Sequence, residues 1–238
     1  FTVFGNNKRV LLYLEEEKIF HFNDSIACQL MSKKYDSLYY PQYFYPEVKE
    51  FLRGKFIVDV RLIKNFSFTG DQLPEDFYLN RKIGLNERKI CELIRNDSLD
   101  EFIIYVNKNN INLNSNIKKS INETNLFLIG KELSLIEYAT FYGSIKIFQY
   151  LKTNNIELKP SLWLYAIHSN NAEMIQILND NNIQPTGKNP YYKIEKESVK
   201  CHNNDIVHYL FENYSKVDKI DHFIIKYYNF DLLSIDMI

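Results

Sequence analysis

The sequence predicts an all-α fold built from repeated helix–turn–helix units, and three recurring features carry that prediction. An adjacent apolar pair followed by a third apolar residue, four positions after the first, appears as Val10/Leu11/Leu14, Phe102/Ile103/Val106, Ile147/Phe148/Leu151, Met174/Ile175/Leu178 and Ile206/Val207/Leu210. On a helix these positions form one continuous apolar stripe. Shorter apolar helices lie upstream of the stripes, at 87–96, 134–142, 161–169, 195–202 and 221–229. Asn-rich stops follow three of the stripes: KNNI at 108–111, TNNI at 153–156 and DNNI at 180–183.

The elements follow in chain order. Residues 6–19 read as the second helix of a unit whose first helix precedes Phe1, since the chain starts without Met and reads as part of something longer. Residues 23–35 form a helix capped by Asn23 or Asp24. YYPQYFYPEVKEFLRG leads through an aromatic, Pro-punctuated turn into another helix, with Pro46 in its first turn. The aromatic run 35–46 suits packing between irregular helices, with a protein interface as the alternative. Residues 64–80, with Gly70, Pro74 and no clean period, predict a loop or boundary.

From residue 81 the units are regular in kind and uneven in length. They divide at about 81–133, 134–160, 161–192, 193–219 and a partial 220–238; residues 1–80 make an irregular helical segment continuing the stack. Ser134 and Ser161 are placed to cap their helices. Glu101, Glu173, Asp205 and Asp231 put carboxylates at the starts of apolar stripes, where the helix dipole favours them. The turns between paired helices fall at Asp97-Ser98, Gly143-Ser144, Asn170-Asn171, Asn203-Asn204 and Asn229-Phe230. Asn in the stops tolerates left-handed backbone and so ends a helix.

Composition narrows the function classes. With 29 basic and 30 acidic residues the net charge is −1, which argues against nucleic acid as a partner. No apolar run approaches the roughly 18–20 residues that span a bilayer, so no membrane partner is expected. Three widely separated cysteines, Cys28, Cys91 and Cys201, do not make a disulfide framework and suggest a reducing compartment. The sequons at Asn65, Asn96, Asn122 and Asn213 are expected by chance in so Asn-rich a chain.

Candidate chemistry is thin. CHNNDIVH (201–208) holds Cys201, His202 and His208, but the adjacent Cys-His pair and the six-residue gap miss zinc spacing. Adjacent side chains on a helix point about 100° apart, which also weakens a Cys–His nucleophile. TGK (186–188) lacks the rest of a phosphate loop. EEEK (15–18) reads as a solvated helix face. The expectation is therefore no catalytic residue, no metal, no cofactor and no small-molecule substrate.

SLIEYATFYGSIKIFQYLKTNNIEL resembles the ankyrin repeat. Ser134 takes the Thr place of its T-P-L-H box, Ile136 the Leu, Ala139 the first Ala, Gly143 the Gly and Leu151 a Leu of the second helix. Ser161, Trp163, Ala166, Asn170 and Leu178 take the same places one unit later. Glu137 and Leu164 replace the His, and the first unit carries a long insertion. Over residues 80 to 230 the order of phrases resembles a large ankyrin-like family of unknown function from flagellated parasitic protists. The resemblance implies an ankyrin-like solenoid with irregular repeats and shortened or absent β-fingers, and no family activity.

Such a stack implies a non-enzymatic protein–protein interaction module, an adaptor or scaffold in the cytoplasm with a protein partner. Two alternatives stay open: a component of a cytoskeletal or axonemal assembly, and the targeting arm of an enzyme whose catalytic part lies outside these residues. The ends of the first helices would line the binding face, with Asn96 and Asp97, Phe141 and Tyr142, His168 and Ser169, Lys200 and Cys201, and Lys226 and Tyr227.

Overall fold

A computed structural model of the chain describes residues 4–52, 73–214 and 220–234. Fifteen α-helices and one 3-10 helix account for most of them, with two two-residue strands. The chain divides into two compact units, Phe1–Arg88 with Lys118–Glu132, and Lys89–Ile117 with Leu133–Ile238. The sequence places 118–132 with the first repeat; by its contacts that stretch groups with the N-terminal unit.

The N-terminal unit holds α1 (Lys8–Glu16), α2 (Asp24–Leu30), α3 (Lys33–Asp36), α4 (Tyr40–Tyr43), α5 (Tyr45–Leu52) and α6 (Phe77–Ile83). Asn7 and Asn23 start α1 and α2 by accepting backbone N–H bonds with their side chains. The aromatic run serves packing: Tyr40, Tyr43, Phe44 and Val48 are fully buried with Leu11, Ala27 and Leu30. Much of the expected loop at 64–80 lies outside the described residues, and its end is helical from Phe77.

That core encloses two basic side chains. Lys8 is fully buried, and its ammonium donates to the carbonyls of Ile121 at 2.9 Å and Glu123 at 3.3 Å. It lies over the rings of Tyr43 (4.9 Å) and Tyr40 (5.5 Å). Arg81 donates to the Tyr43 carbonyl and pairs with Glu47 at 2.8 Å. A buried charge persists only with such partners.

The second unit opens with α7 (Lys89–Arg95) and α8 (Leu99–Lys108). Strands β1 (Asn116–Ile117) and β2 (Leu133–Ser134) then pair antiparallel, Asn116 with Ser134 and Ile117 with Leu133. Helix pairs follow: α9 (Leu135–Tyr142) with α10 (Ile145–Thr153), α11 (Leu162–Ser169) with α12 (Ala172–Asp180), and α13 (Tyr192–Lys200) with α14 (Asn204–Tyr214). The described chain ends with α15 (Ile220–Tyr227) and the 3-10 helix Phe230–Ser234.

Each first helix packs against the next in chain order, α7 on α9, α9 on α11, α11 on α13 and α13 on α15. Ala139, Ala166 and Ser198 are fully buried at equivalent places, where small side chains let helices approach closely. Trp163, also fully buried, donates its indole N–H to the Ile183 carbonyl at 2.7 Å.

The stops behave as their sequence predicts, with added detail. Asn110, Asn155 and Asn182 adopt left-handed φ of 49°, 61° and 55°. The preceding Asn109, Asn154 and Asn181 donate their amides to carbonyls four residues back, at 2.7–2.8 Å. The N–H groups of Ile111, Ile156 and Ile183 close five-residue returns onto Val106, Leu151 and Leu178. Orphan carbonyls at three helix ends are thus satisfied by one repeated phrase.

Two caps differ from each other. Ser134 forms a full capping box with Glu137, so Glu137 supplies the second half of the cap from the place the His would hold. Ser161 makes no capping bond with its side chain; its φ and ψ of −60° and −22° are already helical.

Candidate functional site

The turn between paired helices sets the register of the second unit. Its left-handed residue is Asp97, Gly143, Asn170, His202 and Tyr228 in turn. At the last two turns this is one residue earlier than the sequence suggests, because Asn203 and Asn229 are needed for another task. Asn203 donates its amide to the Ile167 carbonyl, and Asn229 to the Val199 carbonyl at 2.9 Å. At the same place Ser144 donates to the Ile94 carbonyl at 2.5 Å and Asn171 to the Gly143 carbonyl at 3.4 Å. Each of the last four turns is therefore hydrogen-bonded to the end of the preceding first helix or to the turn residue that closes it. An amide or hydroxyl is required there, and the left-handed φ passes to the residue before it.

Against this register the expected binding residues separate into surface and structure. Asn96, Lys200 and Lys226 are exposed, and Tyr142, His168, Ser169, Cys201 and Tyr227 are half-buried. Phe141 is a correction: it is 6% exposed, with its ring stacked on His168 at 5.1 Å and 24°. Its helix face turns toward α11, so it packs between units and does not line a surface. Asp97 is half-buried and also has a structural task. Its carboxylate accepts the N–H groups of Lys146 (3.0 Å) and Ile147 (2.9 Å), and so caps α10 from the neighbouring unit.

The turn register also aligns three places at each stacking step: the residue two before one turn, and those five and one before the next. At the first step these are Arg95, Tyr138 and Tyr142. Arg95 donates to the Tyr138 hydroxyl at 2.8 Å and lies 6.0 Å over the Tyr142 ring. At the second step the places hold Phe141, Tyr165 and Ser169, and at the fourth Lys200, Phe223 and Tyr227.

The third step differs in chemistry. Its residues are His168, Glu197 and Cys201, each partly buried, with ligand atoms all within 4.8 Å of one another. Among the described residues this is the one group of three possible metal ligands. His168 Nε2 lies 3.2 Å from Glu197 Oε1 and 3.8 Å from Cys201 Sγ, which sits 3.5 Å from Nδ1. Lys200 donates to the same Glu197 oxygen at 2.8 Å. The hydrogen bond from His168 leads in holding the Glu197 carboxyl down at about 2, against the opposing effect of burial. Burial pushes the Cys201 thiol up to about 11, and the Glu197 charge adds to it.

Sequence reasoning placed His168 and Cys201 on one face without pairing them, and did not single out Glu197. The signal was the repeat register: once units are aligned on their turns, the three positions fall into one stacking step. His202, weighed beside Cys201 as a ligand, instead faces the Tyr227 carbonyl at 3.1 Å. Among the described residues no helix is long and apolar enough to cross a membrane. No family model, no curated protein and no solved structure matches the chain.

Proposed function

We propose that the second unit is a degenerate ankyrin-like solenoid acting as a non-enzymatic protein-interaction module, with its row of turns and helix ends as the binding edge. One observation carries the reading: successive first helices stack in chain order, each turn after the first hydrogen-bonded to the unit before it. Stacked copies share a core that no single pair could bury, and they present equivalent positions along one edge. Asn96, Tyr142, Ser169, Lys200 and Lys226 supply polar, aromatic and basic groups there. A mixed set spread over five units suits a protein surface better than a small ligand. The near-neutral charge disfavours nucleic acid.

The test is affinity capture by the chain and by a triple variant, Asn96→Arg/Tyr142→Ser/Lys226→Glu, with matched melting curves. Phe141 is left intact because its burial would confound binding with folding. A partner retained by the parent at saturable affinity and lost from the variant supports the edge as the site. Equal capture by both proteins removes it.

A further inference from the structure

We propose that His168, Glu197 and Cys201 form a binding site for a divalent transition ion of the zinc class, bridging two consecutive units of the stack. His168 comes from the last turn of α11. Glu197 and Cys201 stand four residues apart at the end of α13, on one helix face. One side chain thus comes from one helix and two from the next.

The three donors lie within 4.8 Å of one another, close enough for such an ion to gather them. Bonds of about 2.0 Å to N and O and about 2.3 Å to S, at tetrahedral angles, set N and O about 3.3 Å apart and N and S about 3.5 Å apart. Here Nε2 and Oε1 are 3.2 Å apart and Nε2 and Sγ 3.8 Å. Sγ lies nearer Nδ1, at 3.5 Å, so a turn of the Cys201 side chain toward Nε2 is what converts the cluster into a ligand set. Imidazole, thiolate and carboxylate together suit a borderline-soft ion of the zinc type, whereas magnesium and calcium favour oxygen alone. Three protein ligands leave a fourth position for water or a donor from a partner.

The surroundings are those of a held site. The Phe141 ring stacked on His168 fixes the imidazole plane. His168 and Glu197 are 13% and 14% exposed in their side chains, shielded yet reachable. Lys200, 44% exposed, is the competing cation on Glu197 and has solvent to swing into. On binding, the Cys201 S–H bond breaks, its proton goes to solvent, and a sulfur–metal bond forms. The His168 ring moves its proton from Nε2, where it faces Glu197, to Nδ1, which frees the Nε2 lone pair for the ion, and nothing is oxidised or reduced.

Stacking alone does not call for these residues. The same three places hold Arg-Tyr-Tyr, Phe-Tyr-Ser and Lys-Phe-Tyr at the other steps, and those helices pack as well.

The test is Co²⁺ and Zn²⁺ titration of the whole chain in a Cys28→Ser background, which removes the exposed thiol. The expected result is one Co²⁺ per chain, with a thiolate-to-cobalt band in the near ultraviolet and the strong visible bands of a tetrahedral site, both displaced by Zn²⁺. Cys201→Ser abolishes the thiolate band. His168→Phe and Glu197→Gln weaken binding by more than the roughly 10–100-fold that even outer partners are worth. His202→Gln leaves binding unchanged. Ser169 and Phe141 occupy the equivalent places one unit earlier, so Cys201→Ser and His168→Phe are side chains the stack already accommodates; unchanged metal-free melting checks this. Absence of the thiolate band, its survival in Cys201→Ser, or dependence on His202 in place of His168 would overturn the proposal.

Discussion

Raising the pH should stabilise the N-terminal unit through one residue, Lys8. Burial lowers its ammonium from 10.5 to about 7, and the Glu123 charge offsets only part of that. The carbonyls of Ile121 and Glu123 and the faces of Tyr40 and Tyr43 replace water incompletely. Below pH 7 the lysine is charged in both folded and unfolded chains, and the cost of burying that charge is fully felt. Between pH 7 and about 10.5 the unfolded chain holds a proton that the folded chain has shed. Stability therefore rises with pH across that window and levels off above it. Each pH unit well inside it is worth about 1.4 kcal/mol, so the gain from pH 7 to 8.5 is roughly 1–2 kcal/mol once the rounding near the midpoint is allowed for. Urea denaturation of the parent and of Lys8→Met at pH 6.5, 7.5 and 8.5 isolates the effect, since other titrating groups are common to both. The stability difference between the two proteins should move in favour of the parent as pH rises. Equal slopes would refute the reasoning and mean that Lys8 keeps its proton in the fold.

Three further outcomes follow from the turns of the second unit. Asn229→Leu removes a fully buried amide that donates to Val199 and to Asn204 at 2.9 and 2.8 Å, and should cost about 1–3 kcal/mol, read as faster hydrogen exchange in α15. Gly143→Ala places a Cβ at φ +67° and 3.3 Å from the Asn171 side chain; a loss of about 1–2 kcal/mol in thermal unfolding is expected. Asp97→Ala strips two acceptors from the start of α10 and should lower stability by about 1–2 kcal/mol, whereas Asp97→Asn, which keeps one acceptor oxygen, should recover part of it.

Much of the helical plan was legible because helix ends and apolar stripes are local. Ile147 and Leu151 on one helix, and Met174 and Leu178 on another, lie four apart on one face, and all are fully buried. The Asn-Asn stops were legible for the same reason: a left-handed residue and a short return bond need nothing from outside their own turn. Ser161 was misread because a capping residue is defined by its backbone angle, and here the turn has already begun, with the N–H groups of Leu162 and Trp163 on the Lys159 and Pro160 carbonyls. The aromatic run at 35–46 admitted an interface from composition; only the tertiary packing of Tyr40, Tyr43 and Phe44 settles it as core.

The site escaped for a different reason. Ligand spacing was sought along the chain, where Cys201 has His202 beside it and His208 six residues on. In the fold its histidine is His168, 33 residues away, because consecutive first helices present equivalent positions to each other. Repeats of 26 to 46 residues hide that contact from any fixed spacing. The turns reveal it, since Asn170 and His202 share one geometry and everything counted back from them shares one place. Small buried residues and a cap hydrogen-bonded backwards hold the stack, and those recur from unit to unit. The three places beside the turn are left to vary: Arg-Tyr-Tyr closes one step with a hydrogen bond and a cation over a ring, and His-Glu-Cys closes another with the donors of a metal ion. Chemistry in such a chain is found by comparing its units with one another, at the positions their shared packing leaves free.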